Sequence, residues 1–135
     1  MAEAIEPVEI AGASKYESTL LVLFIPSVDR QMQPIDQASG ERAALEMLGK
    51  CFGGATAFPR AHGVWRDDQQ GGKLIYDEPI VIHCYTNIGA IRQHVGELRE
   101  FLLRMGTETN QGAVGFVIDR TYIEIPFPLK EADHG

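Results

Sequence analysis

No apolar stretch in this sequence approaches the roughly 20 residues that a membrane-spanning helix needs. The strongest apolar run, TLLVLFIP at 19–26, is closed by Pro26. Cysteine is almost missing as well. Cys51 and Cys84 lie in GKCFGG and VIHCYT and read as buried free thiols, because free Cys behaves as a small hydrophobe; a disulfide between them would need an oxidising compartment. Neither belongs to a C-x-x-C pair, and His62, His83 and His94 form no H-x-x-x-H, so no metal site is expected. His83 and Cys84 are neighbours on a strand and point to opposite faces. Basic residues are the scarcer charge, 12 against 19 acidic, for a net charge of −7. Phosphate-backbone binding rests on Lys and Arg, so nucleic acid is a disfavoured partner, and cationic or neutral partners are favoured. There is no P-loop, dinucleotide fingerprint, nucleophile elbow or zinc-hydrolase helix. FGGAT and QQGGK lack the strand–loop–helix context that cradles a phosphate, so no cofactor is expected. The first 18 residues have neither the basic start nor the apolar core of a signal peptide, which makes the cytoplasm the expected location.

What remains is a chain of one domain's length with a globular composition. Residues 1–17 are acidic and aperiodic and read as a flexible N-terminal arm. Residues 18–126 read as a single α+β domain, and 127–135 as a Pro-broken C-terminal tail. The 19–26 run suits a central strand buried on both faces. A helix is expected from about Asp36 to Lys50, with Asp36 or Ser39 as N-cap, Ala44, Leu45, Leu48 and Phe52 as its apolar stripe, and Gly53-Gly54 as its stop. ATAFPRAHGVWRD and KLIYDEPIVIHCYT read as two strands of a hairpin turned by DQQGG. Asn87 then caps a helix over 88–105, with a stripe of Ile91, Val95, Leu98, Leu102 and Met105 and a stop at Gly106. A strand, a tight turn near Asp119-Arg120 and a short return strand follow.

The order β-α-β-β-α-β, plus a short extra strand, predicts a ferredoxin-like split βαβ fold with two helices on one face of an antiparallel sheet. The open face carries Val, Ile, Phe and Tyr, and its burial by a second copy predicts a homodimer. The arm or a sheet edge is a place for a partner protein.

The hairpin carries one candidate site. If its turn centres near Gln70, His62 lies across from Glu78, with Arg66 one pair further along. That trio has the makings of a general base, its orienting carboxylate and an anion-binding fork. Cross-strand charge pairs with a purely structural role are the favoured reading of the same trio. Trp65 reads as core packing or as a stacking surface for a planar ligand. Asp67, together with His83 and Tyr85 on one face of the return strand, joins Trp65 as a ligand- or partner-binding candidate. Between Gly106 and the next strand, Glu108, Thr109, Asn110 and Gln111 form a polar loop that suits binding as well as it suits helix-exit chemistry.

The stretch GVWRD at 63–67, followed by Gly71-Gly72 and by Glu78 heading an apolar strand, resembles a family of small uncharacterised bacterial α+β proteins. The resemblance covers about residues 20–90. It implies the α+β fold and a recurrent unit of Trp65, Arg66, Asp67 and Glu78, and it implies no activity. Two functions remain open. One is a dimeric binding or accessory module for a partner protein or small ligand. The other is a small enzyme of the hydrolase, isomerase or nuclease class with His62, Glu78 and Arg66 at its site. Binding of single-stranded nucleic acid through Trp65, Arg60 and Arg66 is disfavoured by the charge.

Overall fold

The computed structural model describes residues 9, 12 and 17–129, so most of the N-terminal arm lies outside the described residues. The chain runs β1 (Thr19–Ile25), α1 (Gln37–Phe52), β2 (Thr56–Phe58), β3 (Gly63–Asp67), β4 (Lys73–Asp77), β5 (Ile80–Thr86), α2 (Ile88–Gln93), α3 (Val95–Glu108), β6 (Ala113–Ile118) and β7 (Thr121–Pro126). Five strands form an antiparallel sheet in the order β2-β5-β1-β6-β7, and β3 and β4 form a separate two-stranded ribbon. The architecture is α+β. Among the described residues, no helix is long and apolar enough to cross a membrane.

The apolar run at 19–25 takes the central position because its alternate residues serve two faces. Leu21, Leu23 and Ile25 are fully buried beneath the helices. They meet Ile80, Ile82 and Cys84 of β5, Val114 and Phe116 of β6, and Ala44, Leu48, Leu98 and Leu102 of the helices. Helix α1 begins where expected: the Asp36 side chain accepts from Ser39 N, and Gly53 closes the helix with a left-handed φ of 92° that costs glycine nothing. The turn at Asp119-Arg120 is also where the sequence put it, with Asp119 at φ 55°.

Four expectations need correction. The strands read as continuous over 55–67 and 73–86 are each broken in two. Pro59 and Pro79 lack the N–H that a ladder requires, so β2 pairs with β5 in the main sheet while β3 and β4 leave it as their own ribbon. The helix read over 88–105 is two helices that meet at His94 (φ −113°, ψ 22°). Leu98, Leu102 and Met105 keep their buried stripe, whereas Val95, beside the break, is exposed. Gly106 does not end the helix. It is buried in the last turn because the Phe127 ring occupies the space a Cβ would fill. Phe127, placed by sequence in the tail, is part of the core.

The β3–β4 ribbon is held over the open side of the sheet by two buried or half-buried carboxylates. Asp67 pairs with Arg30 at 3.1 Å, with 3% and 15% of the side chains exposed. It also accepts from Gln69 N at 3.1 Å and from Gln70 Nε2 at 2.6 Å. At the other end of the ribbon, Asp77 accepts from Ser27 N at 2.8 Å and from the Ser27 hydroxyl. Burial pushes the Asp67 carboxyl up, but the hydrogen bonds from Gln70, Arg30 and Gln69 outweigh it and hold the group below its ordinary range. A depressed carboxyl contributes stability above the unfolded-state pKa of about 3.9 and loses it as pH falls through the folded value. Asp67→Ala should therefore cost roughly 3 kcal/mol near neutral pH, because it strands a largely buried guanidinium. The gap between wild type and Asp67→Asn in urea denaturation should narrow on acidification below pH ~4; a gap unchanged by pH would remove the charge from the account.

Candidate functional site

The ribbon does not lie flat on the sheet. Between its underside and strands β1, β5, β6 and β7 is a cavity of about 320 Å³, at the lower end of the roughly 300–1,000 Å³ of small-molecule sites. Phe24 and Val81 form its floor, from the face of β1 and β5 opposite the helices, and Trp65 and Pro79 form part of its wall. The polar lining is small: His62, Asp77, Gln111, Tyr122 and Glu124. Asp77 is committed to Ser27. Gln111, buried, donates from its amide to Val28 O at 2.9 Å and to Thr109 O at 3.2 Å, which fixes one wall.

Tyr122 and Glu124 stand two apart on β7 and so share the cavity face, where Tyr122 pairs with Val117 and Glu124 with Gly115. The Tyr122 hydroxyl donates to Glu124 Oε2 at 2.9 Å. It lies where a side chain at 115 would be, so only glycine leaves room for it. Desolvation there, then the hydrogen bond to the carboxylate and its charge, push the phenol up to about 12. The pair is thus a neutral phenol bound to an acidic partner at the mouth of an aromatic-walled cavity.

Of the residues singled out by sequence, His62, Trp65 and Gln111 line this cavity. His62 does face Glu78, Nδ1 to Oε1 at 3.8 Å, at an exposed rim, and the pairing of Gly63 with Asp77 gives the register that the sequence implied. Arg66 does not join them: it is bound to Asp68 at 2.6 Å on the exposed outer side of the ribbon. Asp67 lies behind Trp65, next to Gly112, as an anchor. His83 packs its ring against Phe58 at 4.8 Å. His83 and Tyr85 are on the open sheet face but outside the cavity lining. Glu108 is not in a loop; it ends α3 and pairs with Arg104. Asn110 donates to Gln31 Oε1 at 2.6 Å, and its carbonyl accepts from Arg30 N, tying two loops together. Sequence reasoning missed Phe24, Val81, Tyr122 and Glu124. The one available signal was the alternation in TYIEI, which puts Tyr122 and Glu124 on the face opposite Ile123 and Ile125.

No family model matches the chain, and no curated protein matches it significantly. Among solved structures, the chain is similar to a phage SAM lyase in complex with S-methyl-5'-thioadenosine. The TM-score is 0.64 at 13% identity, over 87% of this chain and 95% of that one. It is also similar to a phage SAM lyase in the apo state, with a TM-score of 0.58 at 12% identity, over 85% and 94%. At such identities the likeness is one of fold.

In an alkaline absorbance titration, the phenolic step near 12 should vanish in Tyr122→Phe. In Gly115→Ala, which displaces the hydroxyl, that step should move down towards the ordinary value of about 10. A step that stays near 12 in both variants would belong to another tyrosine.

Proposed function

We propose that the cavity binds a small adenosine-bearing sulfonium or thioether and that the chain is an enzyme acting at the carbon–sulfur bond of such a ligand. The observation that carries the reading is the pairing of aromatic and aliphatic walls with a carboxylate–phenol pair, and nearly no other free polar group, in a chain whose fold over most of its length is like that of a SAM lyase. Trp65 and Phe24 offer surface for an adenine ring or a cationic sulfur, and Glu124 offers the countercharge. A sulfonium carries its own leaving group: the thioether departs with the electron pair of the broken bond, and the carbon it leaves is closed by a nucleophile the substrate itself carries, by water, or by loss of a neighbouring proton to a base. Such a site needs shape and charge more than a protein nucleophile, which is consistent with the absence of nucleophile motifs from the sequence. The high-lying Tyr122 phenol stays protonated at working pH, so its part is to donate a hydrogen bond and orient Glu124. The exposed His62–Glu78 pair at the rim is the remaining candidate for proton transfer.

Supporting the finer fold reading, β2-β5-β1-β6 is the strand order of a split βαβ unit with α1 in its first crossover and α2–α3 in its second. On that reading β7 is an added edge strand and β3–β4 an insertion. The sheet leaves Phe58, Tyr85 and Tyr122 exposed, and we retain the homodimer that would cover them; sedimentation equilibrium at micromolar concentration should give twice the chain mass, and a monomer would end that reading.

Trp65 is the only tryptophan, so its fluorescence reports on the cavity. Both S-adenosylmethionine and S-methyl-5'-thioadenosine should change it saturably. Glu124→Gln should weaken the sulfonium by about tenfold, or about 1.4 kcal/mol, and leave the neutral thioether nearly unaffected. Chromatography should show thioether released from the sulfonium. Binding without release would reduce the protein to a ligand-binding module, and no response to either compound would sink the proposal.

A further inference from the structure

On the helix side of the sheet, away from the cavity, a second cluster assembles from two helix ends that are far apart in sequence. Cys51 is in the last turn of α1, His94 stands at the junction of α2 and α3, and Glu97 lies in the first turn of α3. A thiol sulfur, an imidazole nitrogen and a carboxylate oxygen from these three lie within 4.8 Å of one another. His94 Nδ1 is shut off from solvent and has no hydrogen-bond partner. The Glu97 Oε2 atom is 3.6 Å from it, beyond hydrogen-bond range. The imidazole is held edge-on against Phe52, ring centres 5.7 Å apart, so its orientation is set by packing. An unpartnered buried nitrogen is costly to leave so, and neither neighbour in the cluster satisfies it as a hydrogen-bond acceptor or donor at these positions.

We propose that Cys51, His94 and Glu97 form a binding site for a divalent ion of the zinc class, one that staples the end of α1 to the α2–α3 junction. Thiolate, imidazole and carboxylate are the ligand types that Zn²⁺ takes, with bonds of about 2.0–2.3 Å. A tetrahedral ion with such bonds holds its ligand atoms roughly 3.4–3.6 Å apart, so the cluster has to contract by about an ångström. His94 Nδ1 and Glu97 Oε2 are already 3.6 Å apart, so the contraction falls between the Cys51 sulfur and this pair, and a change of thiol rotamer with a turn of the more-than-half-exposed Glu97 side chain closes it. The Cys51 thiol proton passes to solvent on loading, and the sulfur binds as thiolate. Three protein ligands leave the fourth position to water. The softness of sulfur together with nitrogen selects zinc or cobalt over magnesium or calcium, which take oxygen.

The test uses the full-length, reduced protein after treatment with a chelator, titrated with Co²⁺ while thiolate-to-cobalt charge transfer is followed in the near ultraviolet. The expected result is a band that saturates at one ion per chain and is displaced by Zn²⁺. It should be absent from Cys51→Ser. In Glu97→Gln and His94→Ala, binding should weaken by at least the roughly tenfold that loss of a mere supporting residue costs. Circular dichroism checks that each variant is folded, and Glu97→Gln, a surface change, keeps the test open if the others are not. The proposal is overturned by a folded, reduced wild type that gives no band. A band that survives Cys51→Ser overturns it too, since the ligand would then be Cys84, as does Co²⁺ affinity unaltered in Glu97→Gln.

Discussion

Two aspartates decide where the ribbon goes, and the candidate site exists because of where it goes. A two-stranded ribbon has little stability of its own, and β3–β4 shares no strand pairing with the main sheet. Asp67 at one end is bound to Arg30, and Asp77 at the other to Ser27. Both partners lie on the loop that leaves β1, so the ribbon is fastened across the strands it would otherwise miss. The same loop is fixed from the other side, where Arg30 N donates to Asn110 O and Gln111 donates to Val28 O. The carboxylates are acceptors with several donors each, which is the arrangement in which a buried charge is tolerated. Removing either one would free the roof of the cavity while leaving the main sheet, whose core is on the other face, in place.

That division of labour separates stability from function. The helix face of the sheet is filled with Leu, Ile and Val and is closed to solvent. The other face is only partly covered, and the cavity lies in its gap. Asp77 and Gln111 reach into the same cavity but are committed to the backbone of the loops. Tyr122 and Glu124 are bound to each other. The phenol's hydrogen bond gives the carboxylate direction, and Gly115 makes the pair possible by leaving out its side chain.

The His62–Glu78 pair shows how the same residue types carry different weight in different places. The pair forms, yet at 90% and 51% exposure its charges are screened by water, and such surface pairs contribute little. Arg66 binds the aspartate two residues on, an interaction that no longer-range reading of a ribbon can anticipate. His94, by contrast, shows no metal-ligand spacing in the sequence, yet it has a nitrogen sealed inside the protein.

Periodicity made most of the elements legible: the buried β1, the cap at Asp36, the stop at Gly53, the cap at Asn87 and the Asp119 turn all follow from local chemistry that needs no tertiary partner. The register of the ribbon was legible too, because Gly71-Gly72 fixes a turn and a turn fixes its flanks. Proline decides more than the periodicity shows: Pro59 and Pro79 each remove one ladder donor and so redirect two strands into different layers. The composition of the cavity was not legible, since Phe24, Trp65, Val81 and Glu124 come from four strands whose order in the sheet is not written in any one of them. The cluster of Cys51, His94 and Glu97 was hidden for the same reason, its only local trace being the three-residue step from His94 to Glu97. Spacing within an element is set by backbone geometry, which sequence encodes directly. Proximity between elements is set by which faces bury together, and only the folded chain decides that.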